Sequence, residues 1–173
     1  MSESCCAPDA GRAPRPEARS TARVPPGGAC VLDGDLVPLA GGAFVMGTDE
    51  SYGYGEDGEG PAHVVRLGPF AISRHAVTNA QFAAFVAATG HRTVAEAFGW
   101  SFVFARFLAE DFPATRGVAG APWWRQVDGA DWAHPEGPDS VIEDRADQPV
   151  VHVSWDDAQA FCAWTASRLP TEA

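Results

Sequence analysis

The sequence predicts a domain of short strands and capped helices around a long irregular stretch, and three observations carry that expectation. Short apolar runs that alternate like strands occupy residues 36 to 72. Helix starts with paired capping residues stand at Thr78, Thr93 and Ser154. A long stretch rich in Gly, Pro and Trp, reaching to about Ala146, shows no sustained period.

Composition narrows the possibilities before any motif does. With 173 residues and 46% hydrophobic content, the chain can bury a core without disulfides and is not wholly disordered. Its net charge is −11, from 12 arginines, no lysine and 23 acids. That balance speaks against nucleic acid, whose phosphates reward clustered cations. No apolar run reaches membrane-spanning length, so no membrane association is expected. The first residues lack the apolar core of a secretory signal, and a cytoplasmic location is the expectation. In a reducing compartment Cys5, Cys6, Cys30 and Cys162 are not a disulfide framework. Residues 1–33, with Pro8, Pro14, Pro16, Pro25 and Pro26 among Ala and Arg, read as a disordered tail. The domain is expected over 34–173.

Each element has a local justification. Leu36–Leu39 and Ala43–Met46 flank Gly41-Gly42, which predicts a hairpin with Pro38 on its edge. The acidic, glycine-rich Asp49–Gly60 lacks EF-hand spacing and reads as a solvated loop. His63–Leu67 and Phe70–Ile72 read as strands. Thr78 and Gln81 form a capping box, Val77 and Phe82 a hydrophobic staple, and Gly90 a left-handed stop. Phe82, Phe85 and Val86 then line one helical face. Thr93, Glu96 and Gly99 repeat the pattern for a shorter helix, followed by Trp100–Phe104. Val150–Val153 reads as a short strand, and Ser154 with Asp157 opens a helix that places Cys162 on its apolar side. Leu169-Pro170 stops that helix. Thr171-Glu172 then reads as a new helix start, so the domain is expected to be truncated on its carboxyl-terminal side.

Chemistry is harder to read. His63, His75, His91, His134 and His152 are scattered without metal spacing, and His152 is expected to be a hydrogen-bonded structural histidine. Ser101 and Ser154 have no identifiable base, the latter being a cap. Trp123 and Trp124 are adjacent and cannot both point to one side of a regular element. Either one lines a groove for an extended peptide or sugar, or both pin the long loop to the core. Asp128, Asp131, Glu136 and Asp139 suit a basic residue in a peptide substrate, or are simply solvated.

Several segments, in order, resemble the formylglycine-generating enzymes, or sulfatase-modifying factors. They are Val37-Pro-Leu-Ala-Gly-Gly-Ala-Phe-Val-Met-Gly47, Ala76-Val-Thr-Asn-Ala-Gln-Phe82, Phe98-Gly-Trp-Ser-Phe-Val-Phe104 and Ala121-Pro-Trp-Trp124. His134-Pro-Glu-Gly-Pro138, Gln148-Pro-Val-Val-His-Val-Ser-Trp155, Asp157-Ala158 and Arg168-Leu-Pro-Thr-Glu-Ala173 continue the series.

The resemblance implies a low-regularity α+β fold related to C-type lectins. It implies oxygen-dependent oxidation of a sulfatase cysteine, within a Cys-x-Pro-x-Arg-like motif, to Cα-formylglycine. The partners are thus a sulfatase polypeptide and molecular oxygen. In the family, copper(I) is bound by two cysteines and calcium supports the fold, but those ligands lie after the Arg168–Ala173 motif. No residue of this chain inherits a catalytic or metal-binding role, so the fragment alone is expected to be inactive. Ser101 and Trp123 match positions near the substrate cleft and are the substrate-binding candidates. Some relatives carry an acid before that serine, where this sequence has Trp100. The alternatives are a non-catalytic lectin-like module binding peptide or sugar and, less favoured, a sulfoxide-synthase-like oxygenase.

Overall fold

The computed structural model describes residues 29–32, 34–50 and 55–173. Cys5, Cys6 and most of the expected tail lie outside the described residues. Leu32 is described, however, and although it falls within the segment read as tail it is buried at 6% exposure in the main core.

The strand patterns at the amino-terminal side all form strands, but not the expected hairpin. Strands β1 (Leu36–Leu39), β2 (Gly42–Met46), β3 (His63–Leu67) and β4 (Phe70–Ser73) pair antiparallel as β1 with β4 and β2 with β3. Val37 faces Ile72 and Phe44 faces Val65, so both ladders share one register. They form one long arm, interrupted where Gly41 passes Gly68, and the chain reverses between Met46 and His63. Gly41-Gly42 is therefore a break within one side of the arm and not a turn. Glycine is required at this break, because a Cβ on Gly41, at φ 76°, would lie 2.4 Å from the Leu67 carbonyl oxygen and 2.5 Å from that of Gly68.

The helices follow their local signals closely. Helix α1 (Asn79–Thr89) has the Thr78–Gln81 capping box and ends on Gly90 at φ 66°. Helix α2 (Val94–Phe98) has the Thr93–Glu96 box and ends on Gly99 at φ 77°. Helix α3 (Trp155–Thr165) has the Ser154–Asp157 box and ends on Ala166, again left-handed. Each cap contributes about 1 kcal/mol. The helices owe more to the face they bury. Phe82 and Phe85 are each 1% exposed and pack with Phe161, Trp164 and Leu32. The Phe82 and Phe161 rings stack at 6.1 Å, while Phe82–Phe85 and Phe85–Phe161 meet edge to face.

The stretch expected to be irregular contains a sheet. Strand β5 (Trp100–Phe104) pairs with β7 (Ala121–Asp128), and β7 also pairs with β6 (Arg116–Val118), giving the order β5-β7-β6. Its buried side is built on Val103, Val127 and Ala130, with Leu108 and Phe112 packed against them. The Pro122-Trp123-Trp124 run hides this strand from a period-2 reading because consecutive bulky residues obscure alternation. Conversely, Val150–Val153 is not a strand. Pro149 makes an isolated bridge to Thr78, and His152 takes a left-handed conformation at φ 56° that no strand accommodates.

Candidate functional site

Three segments meet around Ser101. It sits second in β5, directly opposite Val127 of β7. The capping box at Thr93 and the left-handed Gly99 bring α2 down beside it. The third segment is the irregular run before α3, where His152 turns its ring back toward β5.

Ser101 Oγ lies 2.8 Å from His152 Nδ1, and His152 Nε2 lies 2.8 Å from the carbonyl oxygen of Pro135. The expectation that Ser101 lacks a basic partner is thus overturned, because that partner stands 51 positions away. His152 is hydrogen-bonded through both ring nitrogens. Its positive φ costs about 1–2 kcal/mol in a non-glycine residue, which the two bonds offset.

The serine opens on a groove of about 230 Å³ with apolar walls from Phe98, Trp100, Phe102 and Val153. Its polar side chains are Ser101, His152 and Ser154. A larger cavity of about 660 Å³ adjoins it, sharing Phe102 and His152, and is lined by Phe104, Phe107, Trp124 and Arg145 among others.

The tryptophan pair divides between two environments. Trp124 meets Phe104 edge to face, with ring centres 5.7 Å apart, and lines the larger cavity. Trp123 is 50% exposed and lines neither cavity. It lies four residues along β7 from Val127, the partner of Ser101, a separation of about 13 Å along the strand. The buried Val103, opposite Arg125, lies between them on the ladder. The structure therefore does not bring Ser101 and Trp123 into one pocket.

Of the four acids singled out in the long loop, two serve the fold. Asp131 accepts the backbone amides of Ala133 and His134. Glu136 accepts from Arg145 Nη1 at 2.6 Å, and this bond is the chief cause raising the Arg145 pKa further. Asp128 and Asp139 are exposed. The Arg145 carbonyl in turn accepts from Asn79 Nδ2 at 2.8 Å, tying the His134–Pro138 turn to the start of α1.

The donors present do not fit the metals the resemblance implies. Among the described residues no three His, Cys, Asp or Glu side chains gather as a metal site. Cys162 is buried at 7% exposure in the face of α3, and a single thiolate does not make a copper(I) site of the two-cysteine kind. No helix among the described residues is long and apolar enough to cross a membrane.

The chain is 55% identical over 139 residues to a formylglycine-generating enzyme of Thermomonospora curvata, covering 80% of this chain and 46% of that protein. It is 49% identical over 150 residues to the Bos taurus formylglycine-generating enzyme, covering 86% and 40% respectively. A second Bos taurus protein, named inactive Cα-formylglycine-generating enzyme 2, is 48% identical over 140 residues, covering 80% and 46%. The chain thus spans less than half the length of these relatives. Residues 23–173 match the sulfatase-modifying factor enzyme 1-like domain, and the chain belongs to that family.

Proposed function

We propose that the protein carrying this chain oxidises a sulfatase cysteine to Cα-formylglycine, and that the chain contributes part of the substrate groove. The observation that carries this reading is the apolar groove with a histidine-held hydroxyl, Ser101 on His152, in a chain about half identical to formylglycine-generating enzymes. Ser101 contacts the peptide in the groove. Trp123 offers a separate, half-exposed aromatic contact at the far end of the β5–β7 ladder.

The substrate Cβ passes from thiol to aldehyde, its sulfur leaving as hydrogen sulfide, and gives up two electrons. Dioxygen takes four, so a thiol reductant supplies the other two and becomes a disulfide. One oxygen atom ends in the aldehyde and the other in water. Copper(I), when bound, would supply oxygen activation, and among the described residues no cluster of three His, Cys, Asp or Glu side chains could hold it. The partner is a sulfatase polypeptide presenting a Cys-x-Pro-x-Arg-like motif, whose basic residue suits a chain of net charge −11.

A direct test incubates the full-length protein with copper(I), oxygen, a thiol and a Cys-x-Pro-x-Arg peptide. Mass spectrometry with hydrazide capture is expected to show the aldehyde. Intact cysteine after incubation with copper-loaded, folded protein would sink the proposal, as the relative named inactive makes a real outcome.

A further inference from the structure

One buried carboxylate holds two walls of the smaller groove. Val94, at the start of α2, and Ser154, before α3, both line that groove. Asp157, 1% exposed, accepts the Val94 amide at 3.3 Å, the Ser154 amide at 2.8 Å and the Ser154 hydroxyl at 2.7 Å. Its position therefore fixes how far apart the two segments stand.

A fourth donor completes the set. His91 Nε2 lies 2.8 Å from Asp157 Oδ1. The His91 amide donates to Thr89 Oγ1 at 3.1 Å, and its ring lies against Phe85 with centres 5.0 Å apart. A carboxylate can only accept, so Nε2 keeps its hydrogen in both charge states of the ring, and Nδ1 is the nitrogen that gains or loses a proton. With the ring charged, both partners of the bond are ionised and the contact is at its strongest. With the ring neutral, the buried charge of Asp157 is held by dipoles alone.

The charged neighbours are otherwise engaged. Helix α1 contains no titratable residue. Beside α2, the Glu96 carboxylate accepts the Thr93 amide and hydroxyl, both at 2.7 Å, and Arg92 Nη2 donates to the Glu96 carbonyl at 2.9 Å. On α3, Asp156 is exposed and the Cys162 thiol is buried. His152, also in the groove wall, is bonded to Ser101 and Pro135. Asp157 itself stays ionised where histidines titrate. Burial works to raise its pKa, but the bonds from His91, Ser154 and Val94 outweigh that, and the net shift is downward.

We propose that Asp157 is a positioning residue that sets the width of the groove through Val94 and Ser154, and that His91 makes this hold depend on pH, tighter when the imidazole is charged. This rests on the reading of the groove as the peptide cleft and adds the regulation of that cleft. Walls already held in place need less ordering on binding, so the clamped form binds peptide better. By linkage, peptide binding draws a proton onto the protein.

The test titrates the full-length protein with the peptide Ser-Ala-Pro-Ala-Arg, acetylated and amidated so that the probe keeps one charge between about pH 5 and 8. Trp100, in the groove wall, reports binding by its fluorescence. The wild type is expected to bind about fivefold more tightly at about pH 5.5 than at about pH 8. His91→Gln places an uncharged amide nitrogen where Nε2 stands and keeps the bond to Asp157. It is expected to bind equally at both pH values, at the level of the wild type at the higher one. Asp157→Asn is expected to bind more weakly than either and just as flatly; where that variant does not fold, His91→Gln decides alone. A pH dependence kept in His91→Gln would belong to His152 and would overturn the proposal. So would a wild type whose affinity ignores pH, or a folded Asp157→Asn that binds as the wild type does. The two readings fail separately. Aldehyde formation by a protein whose peptide affinity ignores pH leaves the oxidase reading and removes this one. A pH-dependent affinity abolished by His91→Gln, with no aldehyde formed, does the reverse.

Discussion

His91 Nε2 lies 2.8 Å from Asp157 Oδ1, joining the turn after α1 to the first turn of α3 across 66 residues. The same carboxylate accepts the Ser154 amide at 2.8 Å and hydroxyl at 2.7 Å, and the Val94 amide at 3.3 Å. One buried side chain thus caps α3 and also holds the first residue of α2, the helix that walls the Ser101 groove.

Replacing that carboxylate should be among the costliest polar changes in the chain. Asp157→Ala leaves the His91, Ser154 and Val94 donors unpaired and is expected to cost about 3 kcal/mol, with Asp157→Asn at about 2 kcal/mol. Chemical denaturation of the variants beside the wild type measures both.

Acid should act through the same group. Burial works to raise the Asp157 pKa, but the hydrogen bonds from His91, Ser154 and Val94 outweigh it, and the net shift is downward. A carboxylate depressed in the folded state contributes stability above its unfolded value of about 3.9 and loses it as pH falls through the folded pKa. Melting temperature followed from about pH 5 downward should therefore fall more steeply in the wild type than in Asp157→Asn. Parallel acid limbs would contradict this.

Glycines at positive φ should separate into two classes. Gly34→Ala, at φ 87° with open space around it, incurs backbone strain alone, about 1 kcal/mol. Gly41→Ala adds a collision with the Leu67 and Gly68 carbonyls and is expected to cost about 2–3 kcal/mol. Equal losses in urea unfolding would show that the close passage of Gly41 by Gly68 is not needed for the arm.

Burial predicts the largest contrast. Phe82, 1% exposed and in ring contact with Phe85, Trp132 and Phe161, should lose about 3–5 kcal/mol on change to Ala. Trp155, 68% exposed at the start of α3, should lose no more than about 0.5 kcal/mol. Thermal unfolding of the pair checks it.

Ser101 and Trp123 should act independently on peptide binding. With about 13 Å of strand and the buried Val103 between them, Ser101→Ala and Trp123→Ala are expected to add to within about 0.5 kcal/mol in a double-mutant cycle. A larger coupling would place both on one contiguous ligand contact.

The amino-acid order by itself determined the helices. Capping boxes at Thr78, Thr93 and Ser154, and the left-handed stops at Gly90 and Gly99, are satisfied within four residues, so their partners are visible in the string. The apolar stripe of Phe82 and Phe85 was legible for the same reason, as was the family through its ordered segments. Tertiary structure decided what depends on distant partners. It joined β1 to β4 and β2 to β3, a pairing that brings Gly41 against the Leu67 and Gly68 carbonyls and that no local hairpin signal records. It built β7 from a run whose bulky neighbours mask alternation. It bent His152 to a left-handed φ and set its ring on Ser101 and Pro135. Hydrogen bonds between residues 51 and 66 positions apart leave no periodic trace in a sequence, because their register is chosen by the packing of the whole core. The polarity of the groove is therefore a tertiary property, although each residue that makes it is an ordinary one.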